Sequence, residues 1–517
     1  MRHARKPKRF LLAFACFTLL VSACGGTTQS DGNPQSTDAP IPVPEFSGKA
    51  DNYISTNARE FVLSGTAHAS LPDDFDNLSD DEKKEAIDEA VEDRISTVSR
   101  ALEDHVESVL DEANGDTSGD EDPEYFIYAR RENTDVGMTD VTEGKVAFDF
   151  ELELVGSLEI AELLVSNSDT GNSFEIEIGD GSMAMQEALD VEIGPTPSTD
   201  AFPKYDELFA DGVYDIALHF GGDYNEERYD LETAKWAFNT LKEDGWTHPN
   251  AESFADLEID SEPFTREITV EGEPVEARVY IYHADMVDAE NADKLTESME
   301  TSFAKRDVVI YSGHAGSNAG FILDYDPRHE IEPVDFTDLP LADKYQIYVF
   351  DGCRTYRTYV QDLMENDNKT FENVDIVTTI NTTPFSAGYQ VIYEFAYWLT
   401  FADDQGRHFP MTWKTILQGV NAEEDWDDVH YGVHGIDQDP KLNPHASEGV
   451  ACTACDGQNT CGAGGNYCLQ LSGGSACGTA CATSEACGEG FTCAPITDNP
   501  DQFYIPKQCV PNNQQCR

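Results

Sequence analysis

Residues 308–316 read V-V-I-Y-S-G-H-A-G, and residues 347–355 read I-Y-V-F-D-G-C-R-T. In each stretch a short apolar run ends in a small-residue turn that carries one reactive side chain, His314 in the first and Cys353 in the second. Such continuous apolar runs are typical of strands buried on both faces of a mostly parallel sheet. Because parallel strands present functional groups at their carboxyl ends, we expect the imidazole and the thiol to face one crevice.

The region around these two stretches, residues 201–446, alternates short apolar runs with helical patterns. The pattern predicts an α/β domain in which a mostly parallel sheet is flanked by helices. Asp230 is expected to cap the first helix of this domain. Besides the two quoted stretches, the expected strands are Val213–Phe220, Val279–His283 and Ile376–Ile380, and the expected helices are 231–243 and 289–305.

Two smaller regions precede the α/β domain. In residues 51–118 a single apolar stripe predicts one long amphipathic helix, which begins after a capping box at Ser79 and Glu82. In residues 119–200 the apolar period changes to two, as expected for a small antiparallel β domain. A spacer, a pro-segment and a binding module are all compatible with this part of the chain. The helical stripe consists of Ile87, Val91, Ile95, Val98, Leu102, Val106 and Leu110.

The C-terminal region, residues 447–517, holds ten of the 13 cysteines and little apolar material for a core. An even number of cysteines in an exported protein predicts a disulfide-rich module with five bonds, whose pairing the spacing does not give. The C-x-x-C at Cys452 and Cys455 could instead indicate zinc or redox chemistry. The ten cysteines are Cys452, Cys455, Cys461, Cys468, Cys477, Cys481, Cys487, Cys493, Cys509 and Cys516.

The N-terminus has the pattern of an export signal. A basic start and an apolar run are followed by L-V-S-A-C, which resembles a bacterial lipoprotein signal over residues 1–23, with Cys24 as the lipidated residue. An ordinary secretory signal is the alternative. Residues 24–50 are rich in Gly, Ser, Thr and Pro and would form a flexible linker. We therefore expect a protein anchored by lipid in the cell envelope, at the outer membrane or the cell surface.

The net charge of −66 limits the partners of the protein. A surface this acidic repels nucleic acid and anionic membrane lipids. We therefore expect the protein to contact membranes only through its own lipid anchor. Its expected partners are protein or peptide substrates. No complete calcium-binding EF-hand loop occurs in the sequence. The pattern requires no cofactor, although Ca²⁺ could bind.

The cysteine count makes Cys353 the candidate reactive residue. Removal of Cys16 with the signal, Cys24 to lipid and ten cysteines to disulfides leaves Cys353 as a thiol, which is either a buried spectator or a reactive group. The thiolate is the nucleophilic form of cysteine, and a nearby His314 would stabilise it and protonate a leaving amine. Backbone N–H groups of Ala315 and Cys353 are placed to form an oxyanion hole.

The paired motifs resemble those of the caspase, metacaspase and gingipain group of cysteine peptidases. Y-S-G-H-A-G resembles the metacaspase Y-S-G-H-G, D-G-C-R-T resembles its D-S-C-H-S, and residues 435–444 are similar to the end of gingipain-like domains. The resemblance covers less than half of the chain. It implies a caspase-like fold with His314 as general acid/base and Cys353 as nucleophile. The family has glycine after the histidine, where this chain has Ala315, which lacks glycine's freedom at positive φ.

The resemblance also implies a substrate preference. Asp351 matches the metacaspase acid that lines the pocket for the residue before the cut, and a carboxylate there would select Arg or Lys. Asp223 is a candidate for a second acid in that pocket. The alternative for Asp351 is a simple turn-forming role, since Asp-Gly is a common turn sequence.

The sequence thus predicts a lipid-anchored cysteine endopeptidase that cuts after Arg or Lys. An inactive caspase-like surface lipoprotein with a binding or structural role is the alternative, and a calcium-loaded adhesin is a third. His430, His434 and His445 could bind metal but are expected to be ordinary core or surface residues. The aromatic stretch at residues 395–399 is expected to be a core helix.

Overall fold

The structure is a computed structural model, and its description covers most of the chain after residue 51. The helices are α1 (Asp80–Asn114), α2 (Ile160–Leu164), α3 (Tyr205–Leu208), α4 (Tyr229–Glu243), α5 (Asp293–Lys305), α6 (Thr355–Met364), α7 (Phe385–Leu399) and α8 (Trp413–Val420). The described residues are 52–114, 125–130, 141–142, 144–164, 172–179, 187–224, 227–316, 319–421, 429–437, 439–446, 451–457, 460–496 and 506–516.

The strands are numbered in the order of the chain. They are β1 (Asn52–Ser55), β2 (Ala58–Ser70), β3 (Tyr125–Arg130), β4 (Val141–Thr142), β5 (Lys145–Ser157), β6 (Ser173–Ile178), β7 (Glu187–Pro195), β8 (Val213–Phe220), β9 (Phe264–Val270), β10 (Glu273–Tyr282), β11 (Val308–Ser312), β12 (Phe321–Tyr325), β13 (Arg328–Ile331), β14 (Gln346–Asp351), β15 (Val374–Thr379), β16 (Tyr431–Ile436), β17 (Cys468–Leu471), β18 (Gly474–Cys477), β19 (Phe491–Pro495) and β20 (Lys507–Pro511).

The predicted α/β domain is confirmed, with an eight-stranded sheet in the order β1-β16-β15-β14-β11-β8-β10-β9. The five central strands, β15, β14, β11, β8 and β10, run parallel, whereas β16 and β9 are antiparallel to their inner neighbours. Among the parallel strands, the chain forms β8 first, then β10 on one side of β8, and then β11 on its other side. Such a reversal of strand order opens a crevice at the carboxyl ends of β8 and β11, where α/β proteins bind ligands.

Helices cover both faces of this sheet, which explains why its central strands are apolar throughout. On one face α4, α7 and α8 pack over residues such as Ile216 and Leu218 of β8. On the other face α5 and α6 pack over residues such as Tyr311 and Phe350. The predicted core helix at residues 395–399 is part of α7, where Phe395 and Leu399 are fully buried.

The two regions predicted before the α/β domain form one unit. An antiparallel sheet in the order β3-β5-β2-β7-β6 is covered by α1, whose predicted stripe is buried apart from the half-buried Leu110. The capping box is present, since the Ser79 N–H donates to Glu82 Oε2 at 2.8 Å and the Glu82 N–H to Ser79 Oγ at 3.4 Å. A division at residue 118 is therefore wrong, because it separates α1 and β2 from the sheet to which they belong.

The boundary at residue 201 also needs correction. β1 pairs with β16 and forms the edge of the α/β sheet, although it precedes the N-terminal unit in the chain. Two residues separate β1 from β2. The pairing of strands this far apart is not visible in a local apolar pattern. Sequence patterns therefore assign β1 to the wrong part of the molecule.

The C-terminal module is held by five disulfides, as predicted. Cys452 and Cys455 bond to different partners and not to each other, so the C-x-x-C is not a redox pair in this structure. The module contacts the α/β domain through backbone hydrogen bonds, among them Asn443 N–H to Ala480 O at 2.9 Å. The disulfides are Cys452–Cys516, Cys455–Cys468, Cys461–Cys477, Cys481–Cys493 and Cys487–Cys509.

The disulfides indicate an oxidising compartment outside the cytoplasm. Among the described helices none combines the length and the apolar character that crossing a bilayer requires. The predicted signal, the lipidated Cys24 and the linker to residue 50 lie outside the described residues.

Candidate active site

The loops that follow β11 and β14 are in direct contact at the carboxyl edge of the α/β sheet. Ser312 of β11 lies opposite Asp351 of β14, and the Gly313 N–H donates to the Asp351 carbonyl oxygen at 3.0 Å. His314 comes two residues after Ser312, Cys353 comes two residues after Asp351, and both are buried. The structure therefore brings the two predicted catalytic residues to one edge, on facing loops.

The contact between these loops depends on Gly352. A Cβ at this position would lie 2.7 Å from the Cβ of Ala315 and 3.0 Å from the Gly313 carbonyl oxygen, both closer than packing permits. Positive φ occurs at Gly313 and Gly316, on either side of His314-Ala315, but not at Ala315. Alanine in place of the family's glycine therefore requires no strained backbone here.

The sulfur of Cys353 lies beneath the loop that follows β15. The Thr383 N–H donates to Sγ at 3.5 Å, and the Thr383 carbonyl oxygen lies 3.9 Å away. Helix α6 begins two residues after Cys353, so its N-terminal partial positive charge is close. A backbone donor and a helix N-terminus both favour a negative charge on sulfur.

The structure differs from the sequence prediction for Cys353. Cys353 is disulfide-bonded, whereas the count predicts a leftover thiol. Any nucleophilic chemistry at this sulfur therefore requires its reduction.

The imidazole of His314 packs against two tyrosines. Its ring centroid is 4.8 Å from that of Tyr224, in the loop after β8, and 5.9 Å from that of Tyr325, on β12. The two tyrosine rings contact each other at 5.3 Å with an interplanar angle of 73°. The Tyr311 hydroxyl lies 2.7 Å from the His314 carbonyl oxygen and holds the backbone of this loop. The sequence analysis did not identify these aromatic neighbours.

Asp351 is a buried carboxylate that accepts two hydroxyl hydrogen bonds. Ser312 Oγ donates to Oδ2 and the Tyr431 hydroxyl to Oδ1, each at 2.7 Å. Burial raises the pKa of the Asp351 carboxyl, and these two hydrogen bonds oppose the rise. Its carboxylate is thus fixed inside the protein beside the crevice, which a turn-forming role alone would not require.

The two acids after β8 exchange the roles that the sequence predicts for them. The carboxylate of Asp223 accepts the N–H groups of Asp230 at 2.9 Å and Leu231 at 3.2 Å, so Asp223 caps α4. Asp230, the predicted cap, points inward and is 6% exposed. The Asp230 Oδ2 atom is buried with no hydrogen-bond partner among the described residues.

Asp230 is close enough to Asp351 for their charges to interact. Burial first, and then the charges of Asp223 and Asp351, raise the pKa of the Asp230 carboxyl well above its ordinary value. A Cβ on Gly221 would lie 2.7 Å from Asp230 Oδ2, and one on Gly388 would lie 3.5 Å from Asp351 Oδ2. Glycine at these two positions therefore permits close packing against both acids.

The apolar periodicity of α4 indicates that Asp230 is buried. Asp230, Ala234, Phe238 and Leu241 follow one another at steps of three or four, so the acid lies on the buried stripe of the helix. A carboxylate on such a stripe must be protonated, paired or kept for a ligand. Tyr431 gave no comparable signal, since it reaches Asp351 from β16, two strands away.

The remaining histidines do not assemble a metal centre among the described residues. His434 Nδ1 lies 3.3 Å from the Tyr356 hydroxyl, and His445 Nε2 lies 2.9 Å from His408 Nδ1. Within the described ranges, the groups that have metal-ligand spacing consist of cysteines in disulfides. Calcium binding stays an untested expectation.

The crevice thus contains a histidine, a cysteine and two buried acids that three neighbouring strands bring together. Their separations are set by the parallel pairing of β8, β11 and β14. No family model, curated protein or solved structure matches the chain.

Proposed function

We propose that the protein is an exported cysteine endopeptidase of the caspase-like type that cuts peptide bonds after Arg or Lys. The observation that carries the proposal is the contact between the two loops that hold His314 and Cys353, with Asp351 and Asp230 buried beside them. A mostly parallel sheet flanked by helices agrees with the architecture that the motif resemblance implies.

The chemistry requires Cys353 in its reduced form. The Cys353 thiol gives its proton to His314, and the thiolate then attacks the carbonyl carbon of the substrate. The carbon–nitrogen bond breaks as His314 returns the proton to the leaving amine, which leaves a thioester. His314 next takes a proton from water, the resulting hydroxide attacks the thioester, and the carbon–sulfur bond breaks to release the acid and the thiolate. Backbone N–H groups of Ala315 and Cys353 would stabilise the oxyanion.

The substrate preference follows from the buried acids. A buried carboxylate with raised pKa gains most from an incoming cation, because the cation restores the interactions that burial removed. Oδ2 of Asp230 has no hydrogen-bond partner among the described residues, and Asp351 lies beside it. An Arg guanidinium or a Lys ammonium would supply both charge and donors. Asp223 acts indirectly in this proposal, by fixing the start of α4.

The disulfide at Cys353 supports a second candidate function. A crevice with two buried acids and an oxidised sulfur would still bind basic side chains without cutting the chain. Such a protein would have the binding role that the sequence offers as its alternative. The two candidates share the cation site and differ only in the reactivity of one sulfur atom.

For the cellular location we propose attachment through a lipid on Cys24, at the outer membrane or the cell surface. The five disulfides support export, and the lipobox pattern supports the anchor. Mass spectrometry of the N-terminal peptide from membranes would reveal a lipidated Cys24. An unmodified N-terminus at another residue would contradict the anchor.

Cleavage of quenched peptides with one central Arg, Lys, Gln or Asp tests the proposal. The full-length protein is assayed before and after mild reduction that spares the C-terminal disulfides, as checked by peptide mapping. We expect cleavage after Arg and Lys only in the reduced protein, and loss of at least about 1,000-fold in Cys353→Ala or His314→Ala.

The outcomes separate the two candidates. Binding of the Arg peptide without cleavage by the reduced wild type would replace the peptidase with the binding protein. Cleavage that survives in Cys353→Ala would exclude this cysteine as the nucleophile. Thr382→Ala serves as a control substitution, since Thr382 lies in the loop beside Cys353 and has no assigned role.

A further inference from the structure

Tyr224 is unusually exposed for a large side chain in a structured loop. It is 49% exposed and is one of four large hydrophobic side chains with high exposure among the described residues. The other three are Leu158, Tyr229 and Val334. The ring of Tyr224 packs against His314, with ring centroids 4.8 Å apart.

The position of Tyr224 is fixed by the backbone. The Gly222 N–H donates to the Ile322 carbonyl oxygen at 2.9 Å, which attaches the loop after β8 to β12. A Cβ on Gly222 would lie 2.5 Å from the Cα of Asp324, so only glycine permits this approach. The attachment sets the rings of Tyr224 and Tyr325 side by side, and we call this pair the tyrosine wall.

Tyr325, the half-buried member of the tyrosine wall, is electrically neutral at physiological pH. Burial, followed by the charges of Tyr224 and Asp230, raises the pKa of Tyr325 to about 12. Arg328 and Glu330 on β13 pair with each other at 2.6 Å. The Asp324 carboxylate of β12 accepts the N–H groups of Tyr325 at 2.7 Å and Asp326 at 3.3 Å. A side chain that lies against this wall therefore meets the aromatic carbon of the two rings.

The mechanism determines which part of a substrate reaches the wall. His314 must protonate the leaving amine, so the residue that contributes this nitrogen lies on the His314 side of the cleaved bond. The basic residue before the cut lies on the Cys353 side, toward Asp351 at the end of β14. The side chain that contacts Tyr224 and Tyr325 is therefore that of the residue directly after the cut.

We propose that the tyrosine wall is a subsite that selects a large apolar or aromatic side chain directly after the cleaved bond. This inference rests on the proposed peptidase function. It adds a second requirement to the basic residue, so the preferred substrates contain Arg or Lys followed by Phe, Leu or a similar residue. Contact between an aromatic side chain and two tyrosine rings supplies both buried area and edge-to-face interactions.

The test uses quenched peptides that are identical except for the residue after Arg, which is Phe, Ala or Asp. Mass spectrometry of the products establishes the cleaved bond. For the reduced wild type we expect kcat/KM about 10-fold higher for Arg–Phe than for Arg–Ala, which corresponds to the burial of one aromatic ring. Arg–Asp should be the poorest of the three, because its carboxylate would lose water against the wall.

Variants separate a subsite from mere shielding of His314. Tyr224→Ala should reduce the Arg–Phe to Arg–Ala ratio to about 2 or less, whereas Tyr224→Phe should keep it. Tyr229→Ala is the matched control, because Tyr229 is also exposed but is absent from the wall, and its ratio should equal that of the wild type. A uniform loss for all peptides in Tyr224→Ala would mean shielding and would overturn the proposal.

The failure of this inference differs from the failure of the proposed function. A wild type that cuts Arg–Phe and Arg–Ala equally well is a peptidase without this subsite. A wild type that cuts no peptide after Arg or Lys overturns both proposals. The same set of peptides distinguishes these two results.

Discussion

The two sheets of this protein use polar residues in different ways. In the N-terminal unit the strands β6 and β7 alternate buried and exposed residues, and most of the acids point to solvent. In the α/β domain the strands β11, β14 and β15 are buried along their whole length, and polar side chains gather just beyond their ends. A sheet covered on one face disperses its charges, whereas a sheet covered on both faces concentrates them at one edge.

The difference has an energetic consequence. Glu60 and Glu153 are buried where the N-terminal sheet packs against the α/β domain. The exposed acids of β6 and β7 remain hydrated, so their effect on stability is small. Asp351 and Asp230 are removed from water at the carboxyl edge of the α/β sheet, and their raised pKa values reflect this cost. We therefore expect the same chemical substitution to have large effects in one sheet and small effects in the other.

The largest difference is expected for the acids themselves. Asp351→Asn and Asp230→Asn should each lower kcat/KM for cleavage after Arg by about 100-fold, since each removes a buried charge from a charge-assisted contact. Glu175→Gln makes the same chemical change at an exposed position of β6 and should leave kcat/KM unchanged. Equal effects in the two sheets would contradict the comparison.

The pH dependence of this activity follows from the same pKa shifts. Both pocket acids must be ionised to attract a cation, and burial raises both of their pKa values in the free enzyme. We therefore expect kcat/KM to fall as the pH is lowered through these raised values, above the usual range of carboxyl groups. A profile that stays flat down to pH 4 would show that the acids are ordinary.

A second effect concerns stability and is centred on Asp375 of β15. This buried carboxyl accepts hydrogen bonds from the Tyr345 hydroxyl at 2.6 Å and from Trp413 Nε1 at 2.9 Å, both at Oδ2. Burial raises its pKa to about 7. The folded state thus holds a proton that the unfolded chain releases near pH 4, so this contribution is complete below pH 4 and is lost as the pH rises to about 7.

Asp375→Asn should remove that pH dependence. At pH 8 the variant should exceed the wild type in free energy of unfolding by on the order of 1–3 kcal/mol, with the difference reversed or absent at pH 4. Urea unfolding followed by tryptophan fluorescence measures this domain alone, because all five tryptophans lie within residues 201–446. Glu192→Gln on the exposed side of β7 is the control, and an equal response in both variants would refute the assignment.

The smallest effect is expected at the start of α1. Ser79→Ala removes the capping hydroxyl and should lower the stability of the N-terminal unit by about 1 kcal/mol. Circular dichroism at 222 nm should detect the change, while the tryptophan transition of the α/β domain stays in place. Ser96→Ala is the matched control, since Ser96 Oγ donates to Glu92 O within the helix and its loss should be neutral. A shift of the tryptophan transition would mean that the two units unfold together.

Local periodicity accounts for what the sequence predicted well. The run Val213–Phe220 coincides with β8, and the stripe from Ile87 to Val106 is the buried face of α1. Each pattern reports the burial of a single element, which neighbouring residues determine. The disulfide content was predictable for a similar reason, since it depends on composition and compartment.

Contacts between distant segments explain why some of the sequence predictions were wrong. Asp223 and Asp230 both follow β8, and only the path of the intervening loop decides which one caps α4 and which one faces Asp351. The placement of His314 and Cys353 at one edge of the sheet was predictable, because the strand ends of a parallel sheet align there by rule.

The strand β1 has a consequence for how the molecule is assembled. Ser55 Oγ donates to the carbonyl oxygen of Tyr431, 376 positions further along the chain, and this contact lies beside the strand that carries the Asp351 partner. During synthesis β1 therefore lacks its partner strand β16 until almost the whole polypeptide is available. A chain that is truncated before β16 would expose both β1 and β15 as open edges, which makes incomplete copies prone to aggregate.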